Sequence, residues 1–200
     1  LATPTAIMVG TGVGASQGIL IRSGQAIQSM RSIKVICLDK TGTLTKGKPE
    51  VTDIYAVDEN DARILGVAAS ADQSSEHPIA ASIVRRARER GVTMWDAAEF
   101  KAVPGKGVRA LLGDRVVLVG TELLLKEGGV DLGPIRNVIN RFREEGKTVI
   151  AVAINGGAEG VIAVADTLKD DSADAVKAFH DLGMKVIMIT GDNQRTAEAI

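Results

Sequence analysis

Two apolar runs constrain this chain more than any other feature. Ile33–Leu38 breaks into Asp39-Lys40-Thr41-Gly42-Thr43, and Lys185–Ile189 breaks into Thr190-Gly191-Asp192. A short apolar run bounded by turn residues is the pattern of a strand buried on both faces, as in a parallel sheet. Ser172 is placed to cap a helix reaching Leu182, Gly183 closes it before the second run, and a further helix start follows at Gln194–Ile200. This strand–loop–helix alternation predicts a parallel sheet.

The stretch between the runs follows a different pattern. Val108–Leu112 and Val116–Val119 flank Gly113-Asp114, and Thr148–Ile154 and Gly160–Ala165 flank Asn155-Gly156-Gly157. Both are hairpin signals. Val51–Val57 is another strand, and Asn60–Ala71, Pro78–Arg90 and Pro134–Glu145 are helices, the last two stopped by Gly91 and Gly146. The expected fold is α/β: one domain from residues 33–48 plus 164–200, interrupted over 49–163 by an α+β insert on an antiparallel sheet.

Residues 1–32 stand apart. No charge occurs before Arg22, but Gly10, Gly12, Gly14 and Gly18 dilute the apolar run, which reads as the trailing end of a membrane helix plus a linker. Elsewhere the composition is globular, and a net charge of -1 with 2% aromatics excludes a nucleic-acid footprint. The single cysteine, Cys37, excludes an internal disulfide or cysteine metal cluster and is expected as a small buried hydrophobe. Gly10-Thr11-Gly12-Val13-Gly14 lacks the preceding strand and the acidic residue of a dinucleotide loop, and Gly146-Lys147-Thr148 lacks the first glycine of a P-loop. His180 has no second ligand at metal spacing and reads as solvated.

The two aspartate loops are where chemistry is expected, because parallel sheets bind ligands beyond the carboxyl ends of their strands. An aspartate is ionised at neutral pH and can act as a nucleophile. Thr41, Gly42 and Thr43 offer hydroxyls and N–H groups to phosphoryl oxygens, and Thr190 and Gly191 do so ahead of a helix N-terminus. On spacing alone either loop is equally an ordinary turn; their shared position at strand ends favours the ligand reading.

Asp39-Lys40-Thr41-Gly42-Thr43-Leu44-Thr45 matches the phosphorylation signature of P-type ATPases letter for letter. Ser75-Glu76-His77-Pro78, Gly105-Lys106-Gly107-Val108, Asp166-Thr167-Leu168-Lys169 and Thr190-Gly191-Asp192 follow in the family's order. The chain thus resembles the heavy-metal branch of that family over essentially its whole length. Leu1-Ala2-Thr3-Pro4-Thr5-Ala6 resembles the sequence after the intramembrane motif of copper(I) exporters.

The resemblance implies a haloacid-dehalogenase-like, Rossmannoid phosphorylation domain with an inserted nucleotide-binding domain. It implies that Asp39 attacks the γ-phosphorus of ATP with Mg²⁺ held at Asp39 and Thr41. Lys40, Thr190, Gly191, Asp192, Asp166 and Lys169 would complete the catalytic region. Asp72, Glu76, His77, Gly105, Gly107, Val108, Gly120 and Thr121 would form the nucleotide site, with His77 against adenine. Taken alone, His77-Pro78 is a helix start, Gly105 and Gly107 are an ordinary turn, and Asp166 with Lys169 is a solvated charge pair. The implied partners are ATP, an actuator domain of the same parent chain, and a transported ion, copper(I) favoured, bound by membrane helices. The implied location is the cytoplasmic face of a membrane, with this region itself soluble and weakly active or inactive in isolation.

The sequence departs from that pattern at three places: Asp72 where a glutamate is usual, Ala110 as the third glycine of Gly-x-Gly-x-x-Gly, and Thr121 where asparagine is usual. The alternatives are a soluble phosphatase or phosphotransferase of the same fold, and a non-catalytic nucleotide-binding module. Related phosphatases carry a second aspartate two positions after the nucleophile as general acid and base. Here that position is Thr41, which favours a long-lived phospho-enzyme.

Overall fold

The computed structural model describes residues 2–30 and 32–191. The chain divides into two compact units, one of residues 1–38 and 170–189, the other of 39–169 with the C-terminal residues from Thr190.

In the first unit, α1 (Ala2–Ser16) and α2 (Gly24–Met30) precede β1 (Val35–Asp39). The glycines at 10, 12 and 14 lie inside α1, so they form no dinucleotide loop. Among the described residues no helix is long and apolar enough to cross a membrane. β1 pairs with β8 (Lys185–Ile189) in a parallel two-stranded sheet, with α7 (Ser172–Asp181) alongside β8. Gly183 closes α7 at positive φ, as expected.

Two expectations in this unit are corrected. The N-cap position of α7 is Asp171, and Ser172 lies buried in the first turn. Cys37 is exposed, because β1 has only β8 beside it among the described residues and alternate side chains face outward. His180 is exposed on α7.

The second unit is built on a six-stranded antiparallel sheet of order β2-β7-β6-β5-β4-β3. Its strands are β2 (Thr45–Ala56), β3 (Glu99–Val103), β4 (Gly107–Leu112), β5 (Arg115–Gly120), β6 (Thr148–Ile154) and β7 (Gly157–Leu168). Period-two alternation makes each central strand serve two cores. Val152, Ile154, Ile162 and Val164 face the core containing α3 (Asp61–Asp72) and α4 (Pro78–Glu89). Ala151, Ala153, Val161 and Ala163 face the core containing α5 (Glu122–Glu127) and α6 (Arg136–Glu144).

The hairpins follow their turn residues. Leu112 pairs with Arg115 across Gly113-Asp114, and Ile154 pairs with Gly157 across Asn155-Gly156, where both φ values are positive. Gly146 ends α6 and β6 follows it, so that glycine belongs to no P-loop. Pro134 opens a 3-10 turn rather than the helix proper, which begins at Arg136. β2 starts at Thr45, six residues before the expected strand, and β7 extends to Leu168 to pair with it.

Candidate active site and nucleotide pocket

β1 delivers Asp39 in extended conformation, and the next five residues form a tight turn in which Gly42 takes φ +75°. Asp39, Thr41, Gly42 and Thr43 are exposed, whereas Lys40, Leu44 and Thr45 are buried. The turn is pinned from beneath. Thr45 donates its hydroxyl to Asp166 Oδ2 at 2.6 Å, with the Lys40 carbonyl 3.0 Å away as alternative acceptor, and accepts the Gly42 N–H at 3.2 Å. Asp166 Oδ1 accepts the N–H of Gly47 at 2.9 Å and of Lys48 at 3.3 Å, where the β2–β7 register shifts between Thr45 and Pro49. Lys169 closes the ring, donating its Nζ to the Gly42 carbonyl at 2.9 Å while its N–H bonds the Leu44 carbonyl.

Asp166 and Lys169 are therefore bonded to the loop rather than standing as a solvated pair. They hold its underside, while Asp39 and Thr41 are exposed. Thr190 and Gly191 directly follow β8, whose last residue is Ile189. Asp192 lies outside the described residues.

A cavity of about 330 Å³ opens elsewhere in the same unit, a size at the lower end of small-molecule sites. It lies between the end of α3, the start of α4, the β3–β4 turn and the end of β5. Its walls are largely apolar, from Ile79, Ile83, Val119 and Ile150, and the turn at Pro104–Gly107 completes the lining on one side.

The glycines are there for space. Gly107 pairs directly with Gly120, and a Cβ on Gly107 would lie 2.2 Å from the Val119 carbonyl oxygen. A Cβ on Gly120 would lie 2.1 Å from the Lys106 oxygen. Only paired glycines let β4 and β5 approach so closely beneath the cavity. Gly105 faces open space at φ +70°.

His77 is the N-cap of α4: its Nδ1 accepts the Ile79 N–H at 3.2 Å, which leaves Nε2 to carry the proton in the neutral ring, and Pro78 stands at the first helical position. The capping histidine also lines the cavity. Thr121 caps α5 through the Leu124 N–H and also lines the cavity. Asp72, at the end of α3, is 6% exposed, and burial pushes its carboxyl up to about 7. Val108 lines the wall, whereas Glu76 is exposed and outside the lining.

The family profile for haloacid dehalogenase-like hydrolases matches residues 33–200. The chain belongs to that family.

Within it, the chain is 50% identical over its whole length to Copper-transporting ATPase 1 of Rhizobium meliloti (strain 1021), and 44% identical to the copper-exporting P-type ATPase of Staphylococcus saprophyticus. It spans about a quarter of those proteins, 24% and 25% of their lengths. Among solved structures it superimposes on a zinc-transporting PIB-type ATPase in the E2.Pi state with a TM-score of 0.89 at 35% identity, covering 98% of this chain and 32% of that one.

This haloacid dehalogenase-like chain places further residues at the candidate site that the sequence reading did not name. Thr45, the last letter of the loop motif, is the hub beneath Asp39, and its hydroxyl type was the available signal. Gly47 and Lys48 supply N–H groups that sequence does not distinguish. The apolar walls at Ile79, Ile83 and Val119 read simply as core.

Proposed function

We propose that this chain is the catalytic region of an ATP-driven, heavy-metal-exporting P-type ATPase, with copper(I) as the ion favoured by the relatives' names. The observation that carries the reading is the combination in one unit of an outward-facing Asp39 on a braced loop and a glycine-floored cavity carrying His77 and Asp72. In this reading the transported ion binds in membrane helices of the parent protein, the region faces the cytoplasm, and the actuator domain of the same parent is its partner.

The cavity takes the nucleoside part of ATP. His77 packs on adenine, the apolar walls exclude water, and the N–H groups near Gly105 and Gly107 lie against the ligand. A carboxylate oxygen of Asp39 attacks the γ-phosphorus; the new O–P bond forms as the bond to the β-bridging oxygen breaks, and ADP leaves with that electron pair. Thr41 and Thr43 offer hydroxyls to the transferred oxygens, joined by Thr190 and Gly191. Asp166 and Lys169 act through the loop, keeping its carbonyls and N–H groups engaged so that Asp39 stays outward.

Mg²⁺ commonly binds through one or two carboxylates plus substrate phosphates. The exposed Asp39 carboxylate and Thr41 suit it, and among the described residues no group of three or more His, Cys, Asp or Glu offers a richer site. Bound there, Mg²⁺ neutralises phosphate charge during transfer. Thr41 stands where related phosphatases carry the aspartate that serves as general acid and base, which disfavours the phosphatase alternative.

Calorimetric titration of the chain with a non-hydrolysable ATP analogue tests the nucleotide assignment. His77→Gln should weaken binding about tenfold through lost stacking, and Asp39→Asn should bind at least as well as the wild type. Absence of binding by the folded wild type would rule the reading out.

A further inference from the structure

The nucleotide cavity and the Asp39 loop are both anchored to one rod, α4. Its N-cap His77 and its residues Ile79, Ala80 and Ile83 line the cavity. Two turns further on, about 12 Å along the axis from His77, Arg85 donates its Nη2 to the Pro49 carbonyl at 2.9 Å. That carbonyl sits where the β2–β7 register shifts, next to Lys48 and Gly47, whose N–H groups bond Asp166. Asp166 bonds Thr45, and Thr45 accepts the Gly42 N–H three residues from Asp39.

Among the described residues β2 is an edge strand, with β7 on one side and no strand on the other. Pro49 lacks an N–H to offer there. A guanidinium from α4 thus adds a polar tie at this point to the apolar packing of the helix on the strand. Arg85 also lies close enough to Glu50 to help hold that carboxyl below its ordinary range, after the larger effect of its bond from Thr167 and those of Lys46. Its ion pair with Glu89, at 3.9 Å, lies along the same helix.

We propose that Arg85 is a positioning residue that couples the cavity to the phosphorylation loop. A ligand seated against the first turns of α4 displaces the helix as a body, and Arg85 passes that displacement through the Pro49 carbonyl to the Asp166–Thr45 brace. The loop beside Asp39 then senses whether the cavity is filled. This rests on the nucleotide reading of the cavity.

The test is a titration of the 200-residue chain with a non-hydrolysable ATP analogue, following backbone amides by NMR in the wild type, Arg85→Ala and Arg85→Lys. Wild type should show shifts at cavity residues (Ala80, Gly107, Gly120) and also at Gly42, Gly47 and Lys48. Arg85→Ala should keep the cavity shifts, with affinity within about twofold, and lose most of the shift at Gly42, Gly47 and Lys48. Arg85→Lys, whose ammonium can reach the same carbonyl, should restore much of it. A purely structural role would not separate the two groups of resonances. Loop shifts that survive Arg85→Ala unchanged, or wild-type loop amides that never respond while cavity amides do, would overturn the coupling and leave the cavity assignment standing. No shifts at the cavity would overturn both.

Discussion

The hydroxyl of Thr45 and the carboxylate of Asp166, separated by 121 positions in sequence, meet at 2.6 Å beneath the Asp39 loop. Thr45 is fully buried, and the same carboxylate accepts two backbone N–H groups through its other oxygen. The bond joins the two strands that leave and re-enter the loop region.

Thr45→Val keeps the shape and deletes the hydroxyl, leaving one Asp166 oxygen and the Gly42 N–H without this partner. The expected cost is about 1–3 kcal/mol. Asp166→Ala should cost at least as much, because it strips Gly47, Lys48 and Thr45 of one acceptor. Urea unfolding of the three proteins measures this; equal midpoints would show that the brace contributes nothing.

The glycines of the cavity separate into two kinds. Gly107→Ala places a Cβ 2.2 Å from a backbone oxygen of the paired strand, so β4 and β5 must move apart. A loss of about 3 kcal/mol is expected, together with most nucleotide affinity. Gly105→Ala meets open space and suffers only its positive φ, about 1 kcal/mol. Thermal melts should rank the two in that order; the reverse ranking would contradict the close approach.

Asp72 gives the fold an unusual pH dependence. Burial raises its carboxyl from an ordinary 3.8 to about 7, so the folded state keeps its proton where the unfolded chain has lost it. The associated stability is fully present below pH 4, falls as pH rises, and is gone above about 7. The loss is on the order of 4 kcal/mol. Glu50, Asp53 and Glu122 are shifted downward, so their contributions vary only at more acid pH. Asp72→Asn should therefore flatten the stability profile between pH 5 and 8, as read from denaturant midpoints. A wild-type profile already flat across that range would contradict the buried carboxyl.

Much of this was legible in the sequence because the relevant signals are local. Asn155-Gly156 and Gly113-Asp114 specify two-residue hairpins through the backbone angles they permit, and Pro78 after His77 marks a helix start. What stayed hidden depended on partners. Residues 45–50 include Lys, Gly and Pro, carry no strand pattern, and are strand only because β7 runs beside them. β3, whose Glu99 and Lys101 flank a single Phe100, is an edge strand that pairs, among the described residues, only with β4. α5 had a readable start in Thr121 and stop in Gly128, but is only six residues long. Cys37 lies in an apolar run yet is exposed, since burial depends on neighbours that a run of residues does not specify. At the site, the motif located Asp39, whereas the bracing roles of Thr45, Asp166 and Lys169 emerge only when distant segments are brought together.

In the proposed function Asp39 accepts the γ-phosphoryl group of ATP. The most direct measurement is labelling of the full-length parent protein with γ-³²P-ATP and Mg²⁺, followed by acid quench and treatment with hydroxylamine. An acid-stable, hydroxylamine-sensitive label, the signature of an acyl phosphate, is expected in the wild type and should be absent in Asp39→Asn. Label retained by Asp39→Asn would contradict it.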